Sequence, residues 1–387
     1  MGILESGTNK ISLGRGLDKV AEAAILCLLG NAGLKIFAEE SADIIVRDPS
    51  FYADVLTKGS LGLGDSYMEG KWDSDKIDEV ICRILKLGVY QKLAPVYNIV
   101  RQIKSRVVNL QDRERSREVI ERHYDLPAEF YAQFLDPYFQ YTCGRFEGTD
   151  DLDEAQRIKM DNICKKLELK PGEKVMDMGG GWGGLAQFMA ENYRVDPTVV
   201  TLSGEQARHI KEKHGDKMKV ERCDYRDIPG SHEGAFDAVT AVGVLEHVGH
   251  ENYPDFIEAV ARNMKQSGRL LVHTLYSPHA ATASNPWADK HIFPNGELAS
   301  RKLIEGALAE RFEPAAGPGY PVFEDITPNY HPTLRAWKDR LTAARVAGKI
   351  QMDEKEFRKW IYYFMSYAGA IKAEHVRVGQ FLYRKAE

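Results

Sequence analysis

From about residue 174 onward, short apolar runs alternate with stretches of helical spacing. Lys174–Met178 reads as a strand, followed by glycines and a helix to about Tyr193. Thr198–Leu202, Met218–Cys223, Phe236–Val242 and Gly268–Leu275 repeat the strand-like pattern, with helical segments between several of them. Such alternation predicts an α/β fold, a parallel sheet with helices on both faces. Beyond Tyr276 a polar loop interrupts the pattern. Helices are expected near 300–310, 333–347 and 353–373, and Val378–Arg384 is expected as a final edge strand.

The pattern upstream is different. Residues 1–90 read as a small, mostly helical domain, with Leu17–Leu29 at helical spacing. The glycine-rich stretch Gly59–Gly64 reads as a turn-rich break, where glycine permits positive φ or close backbone approach. Residues 91–122 read as a linker helix with an apolar stripe at Val96, Val100, Ile103, Val107 and Leu110. From 101 to 122 there are seven Lys/Arg against four Asp/Glu. That segment is net positive in a chain of net charge -5. A basic amphipathic helix suits an anionic membrane surface, and equally suits an interdomain helix with solvated charges. The remaining residues, 123–387, form the third part. At 387 residues the chain has room for two or three domains.

Composition narrows the classes. The acidic balance gives no reason to expect a nucleic-acid partner. No apolar run approaches the ~18 residues of a membrane span. Ala23–Leu29, the longest near the N-terminus, is seven residues and follows charged Lys10, Arg15, Asp18 and Glu22, unlike a signal peptide. A cytoplasmic location is expected. The five cysteines are widely spaced without a C-x-x-C, so neither a disulfide framework nor a metal site is expected.

The strongest chemical signal is Asp177-Met178-Gly179-Gly180-Gly181-Trp182-Gly183-Gly184, between a strand and a helix. Glycines at 179, 181 and 183 let the backbone turn tightly and approach a ligand. The G-x-G-x-x-G spacing of a dinucleotide site is formally met. Asp177 just ahead of it, however, suits a cationic ligand better than a pyrophosphate. An acidic residue before G-x-G-x-G marks a class I methyltransferase, whose S-adenosyl-L-methionine carries an ammonium and a sulfonium. Leu202 and Gln206 after the second strand, with Asp224 and Tyr225 after the third, are weaker candidates for the ribose and adenine.

Further stretches resemble the cyclopropane synthase family of methyltransferases, which includes the cyclopropane-fatty-acyl-phospholipid synthases and the mycolic acid cyclopropane synthases. They are His123–Leu126, Phe134–Pro137, Gln140–Cys143, Leu245–Gly249, Leu271–Thr274, Phe293–Gly296 and Asn329–Trp337. Gly59–Trp72 resembles the N-terminal domain of the full-length phospholipid enzymes. The resemblance implies a class I Rossmann-like catalytic domain over 123–387. It implies cofactor contacts at Tyr124, Tyr141 and Thr142 beside the Gly179–Gly183 loop. It also implies a bicarbonate ion held by Cys143, Glu246, His273, Leu275 (through its backbone) and Tyr330, and serving as general base. Thr142 replaces the family's usual serine and keeps the hydroxyl. Gly180 stands where a cysteine is usual, and Tyr367–Glu374 departs further from the family.

The chemistry agrees with that set. A cis alkene is a poor nucleophile and attacks a sulfonium methyl only when held in line and desolvated. The resulting carbocation suits aromatic faces, and a base must remove a proton from the transferred methyl for the ring to close. Glu246 alone would read as a solvated helix start and His273 alone as a core histidine. At adjacent strand ends beside the glycine motif, both read as catalytic. Cys143 lacks a Cys–His–Asx pattern and is assigned to anion binding only. His123, His247 and His250 read as structural. Expected partners are a phospholipid bilayer, approached peripherally at the inner membrane surface, and a second copy through the N-terminal domain. Simple alkene methylation, small-molecule methylation and non-catalytic lipid binding are the alternatives.

Overall fold

The computed structural model describes residues 7–88, 126–279, 282–283, 285–317 and 319–386. The linker helix expected over 91–122, with its basic segment, lies outside them, as do His123 and Tyr124. Contacts divide the chain into two units. One is Met1–Val107, Asn285–Ile292 and Met352–His375; the other is Val108–Ser284, Phe293–Gln351 and Val376–Glu387. The first unit thus draws in two later segments that a boundary at 123 does not anticipate.

In the first unit the helix Gly7–Gly30 buries Ala21, Ile25 and Leu29, one turn apart on one face. Three short strands make a small sheet. Strand β1 (Ile36–Phe37) runs parallel to β2 (Ile44–Val46), which pairs antiparallel with β3 (Trp72–Asp73). The glycine-rich stretch expected as a break is instead a helix, Ser60–Met68. Glycine disfavours a helix by about 1 kcal/mol per residue, but close packing overrides propensity here. A Cβ on Gly62 would lie 2.0 Å from the Asp54 carbonyl oxygen, and one on Gly64 would lie 2.3 Å from Trp287 Cδ1. Trp287 stacks edge-on against Tyr362 at 4.6 Å. The Arg358 guanidinium covers the Tyr67 ring at 4.0 Å and donates to the Trp72 carbonyl.

The second unit holds an eight-stranded sheet in the order β11-β13-β8-β7-β4-β5-β6, with β12 also paired to β13. Strands β4 (Lys174–Met178), β5 (Asp196–Thr201), β6 (Lys219–Arg222), β7 (Phe236–Val242) and β8 (Met264–Tyr276) are mutually parallel. They match the five expected runs to within a few residues. Strands β9 (Thr282–Ala283) and β10 (Glu297–Leu298) form a separate pair. The last strand, β13 (Arg377–Lys385), is not an edge. It runs antiparallel to β8 on one side and to β11 (Phe312–Pro314) and β12 (Phe323–Asp325) on the other. Those two strands are three residues each, too short to leave a periodic signal.

One helix, Leu152–Lys166, starts on an Asp151 cap and ends in a buried ion cluster. Glu324 of β12 takes two hydrogen bonds from Arg145, at 3.0 and 2.8 Å, and pairs with Lys166 Nζ. Burial pushes the Glu324 carboxyl up, but bonds from Arg145 and Lys166 outweigh it and hold it at about 2.

Two outcomes test this packing. Gly64→Ala should destabilise the protein by about 1–3 kcal/mol, since overpacking against Trp287 exceeds the helix-propensity gain. Gly30→Ala, where a Cβ meets nothing within 4 Å, should be near neutral. Thermal denaturation of the two variants separates local propensity from packing. For Glu324 the depressed value means stability present above the usual carboxylate range and lost as pH falls toward about 2. Glu324→Gln should therefore cost on the order of 3 kcal/mol at pH 7 and progressively less as the wild type is acidified. Urea titrations across pH would show a pH-independent gap if the ion cluster contributed nothing.

Candidate active site

The cavity of the second unit opens at the C-terminal ends of β4, β5 and β7, where a doubly wound sheet places its ligand. Gly179, Gly181 and Gly183 all adopt left-handed φ, at +67°, +55° and +79°. This bends the chain from β4 into the helix Gly184–Tyr193. A Cβ on Gly184 would lie 1.6 Å from the Tyr138 carbonyl oxygen, so the backbones touch there. On Gly181 a Cβ would meet nothing within 4 Å, and Gly181 lines the cavity.

Most of the expected cofactor residues line this one cavity. Tyr141, Thr142, Asp177, Gly179, Gly181, Leu202, Gln206, Asp224 and Tyr225 all do. Gly183 does not; it starts the helix behind the loop. Asp177 is buried, takes the Thr240 hydroxyl on Oδ1 at 2.7 Å, and leaves Oδ2 without a partner. Burial raises its carboxyl to about 6. An orphaned buried oxygen at the cavity wall fits the ammonium group of S-adenosylmethionine, which would satisfy it. Gln206 accepts from the Thr201 hydroxyl at 2.7 Å. Asp224 accepts from the Arg226 backbone and guanidinium, and that guanidinium lies 4.3 Å from the Tyr225 ring centre.

None of the five residues of the expected anion set lines this cavity; hydrogen bonds tie their segments to one another and to its wall. Gly243 lines it and donates its N–H to the His273 carbonyl at 2.8 Å. A Cβ on Gly243 would lie 2.9 Å from the Thr142 methyl, so Thr142 packs against the end of β7 there. Cys143 follows Thr142, and its thiol faces the Gly144 and Ile326 carbonyls. Burial pushes that thiol up to about 12, which argues against thiolate chemistry. Gly144 and Phe146 donate to Thr333 and Asn329 at the start of the helix Tyr330–Val346, which fixes Tyr330 beside them. Val378, opposite Leu275 in the β13–β8 register, bonds Ile326 and Thr327 just ahead of Tyr330.

Within the set, Glu246 Oε1 accepts the Leu275 N–H at 2.6 Å, while Oε2 is buried without a partner. Burial raises this carboxyl to about 7, against the Leu275 hydrogen bond that lowers it. The Leu275 N–H is thus engaged with Glu246. His273 is buried, and burial with Lys159 and Lys166 nearby holds it neutral, well below the usual histidine value. Its Nδ1 meets Gln380 Nε2 at 3.1 Å.

Sequence reasoning missed two buried lysines and a glutamine. Lys159 Nζ donates to Gln140 Oε1 at 2.7 Å and to Thr142 Oγ1 at 2.9 Å. Burial lowers it to about 8. Since Lys159 takes an acceptor site of the Thr142 oxygen, the hydroxyl proton is left to donate elsewhere. Lys166 and Gln380 are equally unexpected, because a lysine on a charged helix reads as solvated. Of the histidines read as structural, His250 pairs with Glu297 at 2.5 Å. His247 lines the cavity and stacks on Phe293, and burial lowers it to about 4.

Comparison with known proteins agrees with this arrangement. The chain is 38% identical over 363 residues to the cyclopropane-fatty-acyl-phospholipid synthase of Escherichia coli K12, covering 92% of each chain. The cyclopropane synthase MmaA2 from Mycobacterium tuberculosis superposes with a TM-score of 0.63 at 25% identity, over 72% of this chain and all of that one. The mycolic acid cyclopropane synthase CmaA1, solved in complex with SAH and CTAB, gives 0.62 at 27% identity, over 70% of this chain and 98% of that one. The family model described as mycolic acid cyclopropane synthetase matches residues 111–381. With a methyltransferase sheet, a cavity at its glycine loop and relatives spanning nearly its whole length, the chain belongs to the mycolic acid cyclopropane synthetase family and is an S-adenosylmethionine-dependent methyltransferase.

Proposed function

We propose that the protein adds a methylene across the cis double bond of an unsaturated phospholipid acyl chain, forming a cyclopropane ring. The observation that carries this reading is Glu246. It is a buried carboxyl with one oxygen tied to Leu275 and the other without a partner, next in the chain to His247, which lines the cavity. A proton acceptor also serves an N- or O-methyltransferase, but there it takes the proton of the heteroatom and not one of the transferred methyl. A ring-forming enzyme needs a proton acceptor beside the methyl.

S-adenosylmethionine, when bound, supplies the electrophilic methyl. Asp177 Oδ2 would hold its ammonium, and Tyr141, Thr142, Gln206, Asp224 and Tyr225 would hold the rest. The alkene attacks the methyl carbon as its bond to sulfur breaks, leaving a carbocation on the acyl chain. Tyr141, Trp337 and Tyr330 form a ring cluster, with centroids 5.1 and 6.1 Å apart. Aromatic faces of this kind stabilise a cation by roughly 0.5–2 kcal/mol each. A bicarbonate held by Glu246, His273, Tyr330 and Cys143 would supply the base that removes one methyl proton. The C–H electrons then close the ring. The balance is one CH2 gained by the lipid and one proton released.

Glu246 sets the expected pH behaviour. Its raised value keeps it neutral below about 7, able to donate to an anion, and charged and repulsive above. With bicarbonate varied at each pH, its half-saturating concentration should rise as pH passes about 7. Glu246→Gln should flatten that rise. Glu246→Ala should lose most ring formation while still binding S-adenosylhomocysteine. Mass spectrometry of product lipids reads the CH2 gain, and ozonolysis separates rings from methylated alkenes. Full turnover of the wild type in bicarbonate-free buffer would sink the assignment of the base.

The substrate chains lie in a bilayer, and among the described residues no helix is long and apolar enough to cross one. Peripheral docking through the basic stretch 101–117 fits these facts. Each cation near an anionic surface contributes about 1 kcal/mol. Replacing Arg101, Lys104 and Arg106 with glutamine should therefore weaken vesicle binding by roughly 3 kcal/mol at low salt, and less as salt rises. Activity on detergent-dispersed lipid should be retained. Co-sedimentation that is equal for variant and wild type at every salt concentration would place docking elsewhere.

A further inference from the structure

Beneath His273 lies a polar chain that the reaction outlined above does not use. Glu324 pairs with Lys166 Nζ, Lys166 Nζ donates to Gln380 Oε1 at 2.5 Å, and Gln380 Nε2 lies 3.1 Å from His273 Nδ1. Lys166, Gln380 and His273 are 2%, 3% and 2% exposed. Such buried groups must satisfy one another. The cross-strand register sets the contact, since Gln380 of β13 faces His273 of β8 directly.

An ammonium has donors only, so the group that Gln380 turns toward Lys166 must be its carbonyl oxygen. The amide NH2 then faces His273 Nδ1. A donor at Nδ1 requires that nitrogen to be bare, and a neutral imidazole carries its single proton on the other one. Burial and the two nearby lysines keep the ring neutral.

We propose that Lys166 and Gln380 are positioning residues that lock His273 in the Nε2–H form, so that the ring edge away from β13 presents a hydrogen-bond donor to the anion beside Glu246. The lock rests on the reading of His273 as an anion ligand only for its purpose. The tautomer itself is a property of the free protein. Glu324 completes the device. Paired with Lys166, it compensates the buried ammonium, so Lys166 can orient the amide without placing an uncompensated positive charge under the ring.

The test is a two-bond proton–nitrogen correlation spectrum of protein labelled with 15N-histidine, with His273→Gln used to assign the signal. The wild type should show a protonated Nε2 and a bare Nδ1. Gln380→Glu keeps an acceptor for Lys166 but offers Nδ1 no donor. In that variant the proton should move to Nδ1, and the bicarbonate concentration for half-maximal turnover should rise about tenfold or more, as for one lost hydrogen bond to a charged group. Affinity for S-adenosylhomocysteine should stay within about twofold, because neither residue lines the cofactor cavity. A wild-type His273 protonated at Nδ1 overturns the proposal without any variant. So does Gln380→Glu with Nε2 still protonated, in which case the chain is a stability element only. A reversed tautomer with unchanged bicarbonate response upholds the lock and overturns instead the reading of His273 as an anion ligand.

Discussion

Two ammonium groups buried on one helix are the constraint on which the rest of the catalytic unit depends. Lys159 and Lys166 lie seven residues apart on Leu152–Lys166, two turns along one face. Both are nearly inaccessible. A buried ammonium is tolerated only when its hydrogen bonds are met, so each lysine dictates what surrounds it. Lys159 gathers Gln140 and Thr142 and thereby fixes the segment that carries Tyr141 to Cys143. Lys166 gathers Glu324 and Gln380, and through them β12, β13 and His273. One helix thus links the segment that carries Tyr141 to Cys143 with β12, β13 and His273. Neither segment can shift without leaving a buried ammonium short of hydrogen bonds.

The antiparallel strand β13 is the second half of that arrangement. It covers the flank of β8 along eight paired positions, from Arg377 opposite Tyr276 to Arg384 opposite Arg269. This coverage buries His273, which makes it neutral, and brings Gln380 against it. It also draws Ile326 and Thr327 onto Val378, and with them the start of the helix that holds Tyr330. The segments near 143, 273 and 330 are thus tied to the one late strand that closes over β8, and Glu246 is tied to β8 itself through the Leu275 N–H.

Much of this was legible in the sequence. The five parallel strands and the glycine loop follow from periodicity and from the backbone freedom of glycine, whereas Tyr141 and Thr142 along the cavity come from the family resemblance alone. What was hidden follows one rule: local signals fail where tertiary packing overrides them. Gly62 and Gly64 look like helix breakers, yet sit in a helix because only a hydrogen atom fits against Asp54 and Trp287. Lys159 and Lys166 look solvated because nothing along the chain shows a partner 17 residues back or 158 ahead. Strand β13 looks like an edge because its outer neighbours are three residues long. The segment 91–122, where sequence suggests membrane contact, lies outside the described residues and stands on the sequence alone.

The protonation states around Glu246 and His273 have a chemical logic of their own on the function proposed above. A cation placed directly against a bound base lowers its affinity for a proton, the opposite of what deprotonating a carbocation requires. The groups gathered here are neutral or near it. His273 is held uncharged, the Cys143 thiol is pushed up to about 12, and Glu246 is poised at about 7. The two buried lysines are engaged elsewhere, Lys159 with Gln140 and Thr142, Lys166 with Glu324 and Gln380. On the reading proposed above, this set holds its anion by neutral donors, which orient it and leave its basicity largely intact. Tight binding is sacrificed, since neutral donors give roughly half the strength of charged ones. A base that must accept a proton on every turnover and then leave gains from the weaker grip.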